Sequence, residues 1–401
     1  MTILVLGRAE DCLDYRRYCD EHGIAVEFCV PPVLGARDAA DWADDALADL
    51  RASGLDTAPD DVLAFHDVHQ VQAELLRARM SLSGRDPAAV ATLTDKTLFK
   101  THPAVRDLVG AHRLLPLSLR AAEALAVVRE ELRFPLVLKP SNGFYSAGVV
   151  RVDEPEAFPA AFIATKRVCG VLRRSRGDSA VIAEEYLSGG EFAVDGVVSA
   201  GRVFPLLMHR KRPELVGPYF HETAYLTEPF DAGRGADAAR LLRTIIQGVG
   251  LDDSPFHAEF RYDGSGRLHV LGVAPRLSGS GPTAQHLLGI CTGLDAYAML
   301  YQLTRGPVRP VPGPYHVGLE YDAAAPRSGV LQNVDEVVEL CRRHGAIAVL
   351  QHRANGHHVL GPPLNFEAVV TGFFAAGSLA EGEALVRALD RECDIKTKVG
   401  G

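Results

Sequence analysis

The chain has 401 residues, of which 47% are hydrophobic and 23% are charged, and its formal net charge is −9 at pH 7. This composition is typical of a globular protein with a sizeable core, and at about 150 residues per domain the length predicts two or three domains. The acidic balance disfavours a nucleic-acid-binding protein, whose domains are usually basic, and no apolar run reaches the roughly 18–20 residues of a membrane span.

The first predicted elements form a β-α-β unit. We predict a buried strand over 2–7 ("TILVLG"), a helix over 11–22 and a second strand over 24–30 ("IAVEFCV"). This order is typical of a parallel sheet covered by helices. The segment "GRAEDC" after the first strand is not G-x-G-x-x-G, so nothing local supports a dinucleotide site. A further helix is predicted over 66–82.

Lysines lie at the start of the next predicted helix and at the end of the next predicted strand. In "TLTDKTLFKTH", Thr94 or Asp95 is the expected N-cap of a helix, with Lys96 in its first turn. In "FPLVLKPSNGFYSAGVVRV" (134–152), a strand ends at Lys139 and a loop of glycines and serines follows. Such a loop is either a hairpin with a solvated charge or a phosphate clamp, because glycines let backbone N–H groups approach an anion.

Three segments follow that bring carboxylates to strand ends. Residues 179–206 predict two or three strands, and within them "EEYLSGGEF" places glutamates around a turn. A helix is predicted over 235–248. Residues 255–281 predict a hairpin with a "DGSG" turn, with Glu259 and Arg276 on its two strands as either a cross-strand ion pair or site residues. From about residue 311 we expect strands and one or two helices.

In order and spacing, "LTDK", "VLKPSNGFYSAGV", "AEEYLSGGEF" and "HAEF…VAPRLSG" resemble the motifs of the ATP-grasp superfamily of carboxylate–amine ligases. The resemblance is strongest to the amino-acid ligase and carbamoyl-phosphate-synthetase-like branch. It implies an α/β and α+β chain with the ATP-grasp fold. The implied parts are a Rossmann-like pre-ATP-grasp α/β domain at 1–92, an ATP-grasp domain at 93–310 whose two lobes split near 165–180, and a small C-terminal α+β domain at 311–401.

The resemblance also assigns residues to roles. The lysines and the loop from Ser141 to Gly148 would hold the phosphates, Glu184 and the backbone to Leu187 would hold adenine, and Glu191 the ribose. The implied nucleotide-binding set is Lys96, Lys139, Ser141, Gly143, Ser146, Gly148, Glu184, Glu185, Tyr186, Leu187 and Glu191. Glu259 would bind Mg²⁺, and Arg276 would be the catalytic group that steadies an acyl phosphate or a substrate carboxylate. The substrate candidates are His221, Glu222, Ser278 and Gly279.

The last motif departs from the family. Where related ligases carry a pattern like E-I-N-P-R, this chain has "GVAPR", so Gly272 and Ala274 replace a glutamate and an asparagine. Neither can bind a metal through its side chain, and Glu259 remains. His257 and His269 are expected to be structural or solvated, because histidine is a poor ligand for Mg²⁺.

The expected function is therefore an ATP-dependent ligase that forms an amide or peptide bond through an acyl phosphate, acting on an amino acid or small carboxylic acid. Two alternatives stay open: a degenerate ATP-grasp protein that binds nucleotide or substrate with little turnover, and an enzyme that phosphorylates a small molecule. The expected cofactors are ATP and Mg²⁺, with a single Mg²⁺ ion allowed by the missing ligands. The expected partners are a small-molecule carboxylate and an amine, and neither nucleic acid nor a membrane is expected. A homodimer stays open. Seven cysteines without a C-x-x-C pair, and an N-terminus without the apolar core of a signal peptide, favour the cytoplasm.

Overall fold

The structure is a computed structural model that describes residues 2–32, 34, 38–52, 59–82, 84–143, 146–176, 180–230, 233–280, 282–362 and 368–398. Within these residues the strands form a three-stranded parallel sheet, a four-stranded sheet, an eight-stranded sheet and a second three-stranded sheet. The four-stranded and eight-stranded sheets are antiparallel throughout, and they are the two sheets that position the site.

The N-terminal region is built as the sequence predicts. Its elements are β1 (Thr2–Leu6), α1 (Leu13–Glu21), β2 (Ala25–Cys29), α2 (Ala39–Ala52), β3 (Asp61–Ala64), α3 (Gln70–Arg79), α4 (Pro87–Thr94) and α5 (Lys96–Thr101). The strands pair in parallel in the order β2-β1-β3, which confirms the β-α-β interpretation. Asp95, rather than Thr94, caps α5, because its carboxylate accepts the amide hydrogens of Thr97 and Leu98.

A four-stranded lobe follows. Its elements are β4 (His112–Pro116), α6 (Ala121–Glu131), β5 (Leu136–Pro140), β6 (Val150–Val152), α7 (Phe158–Arg176) and β7 (Ala180–Glu185). The strand order is β4-β7-β5-β6. Leu136 and Leu138 of β5 are fully buried against Phe158 and Phe162 of α7. Each such side chain contributes about 1.5–3 kcal/mol by leaving water, so the lobe has its own core and holds Lys139 at the end of a rigid strand.

The central region supplies the long sheet. Its elements are β8 (Glu191–Ser199), β9 (Arg202–Arg212), β10 (Ala224–Glu228), α8 (Arg234–Val249), β11 (Ser254–Tyr262), β12 (Leu268–Ala274), α9 (Pro282–Thr292) and α10 (Ala296–Leu303). The predicted strands of 179–206, the helix near 235–248 and the hairpin of 255–281 are all confirmed, whereas α9 and α10 were not predicted. Phe192, Phe256 and Phe260 are buried beneath α8.

The C-terminal region adds strands to the same sheet. Its elements are β13 (Val317–Ala324), β14 (Gly329–Leu331), α11 (Val334–Arg343), β15 (Ala348–Gln351), β16 (His358–Val359), β17 (Ala368–Ala376), α12 (Leu379–Glu392) and β18 (Thr397–Lys398). The eight-stranded order is β12-β11-β8-β9-β10-β13-β17-β15. Strands from the last part of the chain thus share one continuous face with the strands that carry Glu191 and Glu259, and the predicted domain boundaries stay a prediction.

Candidate nucleotide and substrate site

A cavity of about 290 Å³ lies between the four-stranded and eight-stranded sheets. Its volume is at the lower end of the range of small-molecule sites. It brings together most of the residues that the sequence singled out: Lys96, Lys139, Gly143, Ser146, Glu184, Glu185, Tyr186, Leu187, Glu191, Glu222, Glu259, Arg276, Ser278 and Gly279. His221 lines a neighbouring cavity of about 180 Å³, which Ser146, Glu222 and Gly279 also line.

Lys139 and Glu184 are in direct contact. The Lys139 Nζ lies 2.7 Å from Glu184 Oε1, and Lys100 Nζ lies 2.9 Å from the same oxygen. Burial opposes ionisation of Glu184, but the ammonium groups of Lys100 and Lys139 lower its pKa to about 2. Burial also lowers the pKa of Lys100 to about 8. The Glu184 carboxylate therefore positions two cations, and the contact with adenine that the resemblance implied stays a prediction.

The glycine–serine loop is fixed at its ends. Lys96 Nζ donates to the Gly143 carbonyl at 2.6 Å, while Ser141 Oγ accepts the Ala180 N–H at 3.0 Å. Gly148 has a φ of +74°, and a Cβ there would meet Val168 at 3.0 Å, so the position favours glycine. Ser141 and Gly148 thus anchor the loop and do not line the cavity, whereas Gly143 and Ser146 do. Residues 144 and 145 of this loop lie outside the described residues.

Lys211 is the main residue that the sequence reasoning missed. Its Nζ lies 2.9 Å from Glu191 Oε1 and 3.0 Å from Glu222 Oε2, and it also contacts Glu259 Oε1. Burial alone would lower the pKa of Lys211, but the carboxylates, Glu191 first, raise it well above its usual value. The lysine lies in "HRKRPELVGPYFHET", the segment from which only His221 and Glu222 were chosen. In this part of the chain the sequence predicts strands only as far as residue 206, and within the basic run from His209 to Arg212 no local signal distinguishes Lys211 from its neighbours.

Arg261 organises the segment that the resemblance assigned to adenine and ribose. Its guanidinium donates to the Leu187 carbonyl at 2.6 Å, to the Tyr186 hydroxyl at 2.8 Å and to Glu191 Oε2 at 3.0 Å. Both oxygens of Glu191 therefore already accept from cations of the protein. Glu185 accepts the backbone N–H of Arg133 at 2.9 Å. The contacts of these residues with adenine and ribose stay predictions.

Glu259 stands where the resemblance expects a metal ligand, and its strand partner is Gly272. Apart from Gly272 itself and its two chain neighbours, no atom of the described residues lies within 4 Å of the point where a Cβ on Gly272 would be. Both Gly272 and Ala274 line the cavity. Among the described residues, no three His, Cys, Asp or Glu side chains converge on a point that could hold a metal ion. The donor set therefore does not fit a site with two protein carboxylates on one Mg²⁺. It offers one carboxylate, which Lys211 already contacts.

His257 is not solvated but part of a buried charge network. Its Nδ1 lies 3.1 Å from Asp195 Oδ1, and His209 Nε2 lies 2.7 Å from Asp195 Oδ2. Burial would lower the pKa of His257, but the Asp195 carboxylate raises it to about 9. The backbone N–H of Ser278 donates to Asp195 at 2.9 Å, so this network also holds the loop after β12. His269 instead pairs with Asp263 of the hairpin turn at 2.9 Å.

Arg276 lies in the cavity with its guanidinium against Asp67. Nε donates to Asp67 Oδ1 at 2.8 Å and Nη2 donates to Asp67 Oδ2 at 2.7 Å, a bidentate pair that fixes the plane of the guanidinium. Asp67 begins a short 3₁₀ helix (Asp67–His69) before α3. The N-terminal region therefore contributes directly to the cavity, and the catalytic role of Arg276 stays a prediction.

The comparisons with known proteins agree with this architecture. Residues 132–284 match the family model of the ATP-grasp domain. The structure of the L-amino acid ligase from Bacillus licheniformis superposes with a TM-score of 0.82 and 20% identity, covering 99% of this chain and 98% of that one. At this identity the superposition shows the fold, and it confirms the fold class that the sequence predicted.

Two named relatives match part of the chain. The alanine–anticapsin ligase of Bacillus amyloliquefaciens is 26% identical over 220 residues, 50% of this chain and 45% of that protein. The dapdiamide A synthase of Enterobacter agglomerans is 28% identical over 180 residues, 44% of this chain and 40% of that protein. The matched stretch thus spans less than half the length of each relative. Fold and site define a lysine- and glutamate-lined cleft between two antiparallel sheets. Residues 132–284 are thus similar to an ATP-grasp domain, and the whole chain has the fold of the L-amino acid ligase.

Proposed function

We propose that this chain is an ATP-dependent carboxylate–amine ligase that forms an amide or peptide bond through an acyl phosphate. The observation that carries the proposal is a single cavity with lysines on both of its walls. Lys96 and Lys139 stand on one side, and Lys211 stands on the other, beside Glu259. A triphosphate needs charge on both sides to be held in one orientation, and phosphoryl transfer depends mainly on such positioning.

The proposed chemistry has two steps. A carboxylate oxygen of the first substrate attacks the γ-phosphorus of ATP, and the bond from that phosphorus to the bridging oxygen breaks to release ADP. The nitrogen of an amine then attacks the acyl carbon, loses a proton and expels inorganic phosphate. Phosphorylation is required because a carboxylate otherwise has oxide as its leaving group. Lys211 and Arg276 are the cavity cations placed to offset negative charge near the acyl phosphate.

Glu259 is the residue that would hold a single Mg²⁺, together with oxygens of the nucleotide itself. When bound, the ion would spread the charge of the phosphates. The matched relatives support the ligase class, since two of them are named as ligases of amino acids. We also propose that the partners are a small-molecule carboxylate and an amine, and that the protein is cytoplasmic. The domain boundaries given above belong to the same proposal, and a homodimer stays open. In the described residues no helix has the length and apolarity needed to cross a bilayer.

One observation favours a second candidate function. The side chains of Gly272 and Ala274 supply no metal ligand, and the Glu259 carboxylate is already paired with Lys211. A protein that binds nucleotide without turning it over would have the same arrangement. Small-molecule phosphorylation is the third outcome, which the products distinguish.

The test is a reaction with ATP, pooled amino acids and hydroxylamine. Hydroxylamine intercepts an acyl phosphate as a hydroxamate, so the proposal predicts ADP, phosphate and hydroxamate by mass spectrometry. AMP and pyrophosphate would rule out the acyl-phosphate route. A stable phosphorylated product would identify a kinase-type transfer. Tight binding of ATP without any of these products would establish the binding protein.

A further inference from the structure

The neighbouring cavity of about 180 Å³ has an acidic lining. Three carboxylates line it, those of Glu222, Glu320 and Asp322, and among its described lining residues none is lysine or arginine. It shares Tyr225 and Glu222 with the nucleotide cavity, so the two spaces adjoin. Glu222 already has a cation, Lys211, at 3.0 Å. Glu320 and Asp322 have none within ion-pair distance among the residues that the structure describes.

Glu320 is the residue that points to a ligand. It is only 6% exposed, and its Oε1 accepts the Thr283 hydroxyl hydrogen at 2.8 Å. Its second oxygen has no partner among the described residues. A carboxylate buried without a counter-ion is costly, and burial, followed by the nearby Asp322, raises the pKa of Glu320 well above its usual range. A ligand cation would satisfy this group.

Asp322 reinforces the same preference. Its Oδ1 accepts from Thr371 at 2.5 Å, and the Thr371 hydroxyl in turn accepts from His352 Nε2 at 2.9 Å. Burial raises the pKa of Asp322 to about 7. The hydroxyl groups orient both carboxylates without neutralising them. A divalent metal is a poor candidate, because no three metal-ligating side chains of the described residues converge here.

The sheet register gives the distance from this cavity to Lys211, which lines the larger cavity. Lys211 pairs directly with Tyr225, and Tyr225 pairs directly with Glu320. Side chains of directly paired residues lie on the same face, and two steps of about 5 Å each separate Lys211 from Glu320 by about 10 Å. A molecule with a carboxylate at one end, a cation at the other and a four-carbon stem between them, as in lysine, suits this span.

We propose that the cavity of Glu320 and Asp322 receives the distal cation of a basic amino acid, whose carboxylate is the group that the ligase activates. This inference rests on the proposed function and names its substrate class. Glu320 and Asp322 are specificity-determining residues in this account, and the side-chain ammonium or guanidinium is the group that they recognise.

The test is calorimetric titration of the full chain with L-lysine and with L-norleucine, which has the same carbon skeleton without the ammonium. L-arginine and L-citrulline form a second pair. We expect the basic member of a pair to bind at least about tenfold more tightly, equivalent to about 1.4 kcal/mol. Glu320→Gln and Asp322→Asn should each remove most of this preference. Glu214→Gln, at a carboxylate whose side chain is 82% exposed, is the matched control and should change nothing.

Each outcome decides the proposal. Equal affinity for lysine and norleucine in the wild-type chain, or no binding of either while ATP still binds, would overturn it. So would a site that takes up Mg²⁺ or Ca²⁺ in a Glu320-dependent way and ignores lysine. Thermal unfolding of each variant verifies folding, and the wild-type comparison stands if a variant does not fold. Selective lysine binding without ADP formation would refute the ligase assignment alone, whereas hydroxamates formed from neutral amino acids only would refute the basic substrate alone.

Discussion

The two ends of the cleft treat charge in opposite ways. At the nucleotide end, Lys100 and Lys139 meet the Glu184 carboxylate, so each cation is already placed by an anion. At the other end, the hydrogen bonds that the Glu320 and Asp322 side chains accept within the described part of the chain come from threonine hydroxyls. Lys211 lies between the two ends and contacts three glutamates.

This difference shows at which end of the cleft the charged side chains are already paired with opposite charges. Ionised groups that satisfy one another form a rigid frame, and Lys100 and Lys139 together exceed the charge of the Glu184 carboxylate by one. The proposed role of this excess is to hold phosphate oxygens. A buried carboxylate without a counter-ion has high affinity for one, because binding restores the missing interaction. The fold therefore offers one end to an anion and the other to a cation. Substitutions at each end, and at Lys211 between them, should therefore have different effects.

The largest expected effect follows from removing the central cation. Lys211→Met leaves Glu191, Glu222 and Glu259, whose side chains are 9%, 29% and 35% exposed, without their common partner. Breaking a fully buried pair costs about 3–5 kcal/mol in the free energy of unfolding, and the partial exposure of Glu222 and Glu259 places the expected loss at or below the lower end of that range. Urea unfolding measures this loss. Lys396→Met is the matched control, because that lysine pairs with Glu336 at 3.5 Å on the surface and should cost about 0–1 kcal/mol. Equal costs for the two variants would contradict the central position of Lys211.

The next effect concerns nucleotide affinity. Lys139→Ala should weaken ATP binding by about 1.5–3 kcal/mol, the value of a charge-assisted contact, and by more than Lys96→Ala. The reason is that Lys139 is held by Glu184, whereas Lys96 Nζ already donates to the Gly143 carbonyl. Calorimetry with ATP measures both variants, with Lys396→Ala as the control. An unchanged dissociation constant in the Lys139 variant would remove it from the phosphate site.

A third effect tests the reduced metal site. Gly272→Glu combined with Ala274→Asn should tighten Mg²⁺ binding at least about tenfold, or about 1.4 kcal/mol, because hard oxygens would join Glu259. The space next to Gly272 is open, with no atom within 4 Å of a built Cβ, so little overpacking cost is expected. Titration with Mg²⁺ and urea unfolding are measured together. A stable double variant without tighter Mg²⁺ binding would show that Lys211 has replaced the metal function, and it would favour the binding-protein alternative.

The smallest effect is a pH dependence at the acidic end. Burial raises the pKa of Asp322 from its ordinary 3.8 to about 7 in the folded chain, so the folded state binds its proton more tightly. The stability from this proton is complete below the unfolded pKa and is lost as pH rises through about 7. Asp322→Asn cannot ionise, so its stability relative to the wild type should increase between pH values of about 4 and 8. A constant difference, like that expected for Glu214→Gln, would contradict the buried, cation-free state of Asp322.

Local motifs predicted the nucleotide end, because each of its parts is written in consecutive residues. A capping Asp95 before Lys96, and a strand that ends in Lys139 before glycines, need no tertiary information. Lys211 could not be found in this way, since its role depends on β8, β11 and the loop before β10, which carry Glu191, Glu259 and Glu222 to one point. The pair of Asp67 and Arg276 joins residues 209 positions apart. Glu320 and Asp322 belong to a tail for which the sequence predicted no site, and only the pairing of β10 with β13 brings them to the cleft.

The most direct test of the central claim is an oxygen-transfer experiment. The chain is incubated with ATP, an amine and a basic amino acid whose carboxylate carries ¹⁸O, and the inorganic phosphate is analysed by mass spectrometry. The acyl-phosphate route predicts one ¹⁸O atom in each phosphate formed, together with ADP and the amide, because the attacking carboxylate oxygen leaves with the phosphate. Unlabelled phosphate, or label recovered in AMP, would contradict the account.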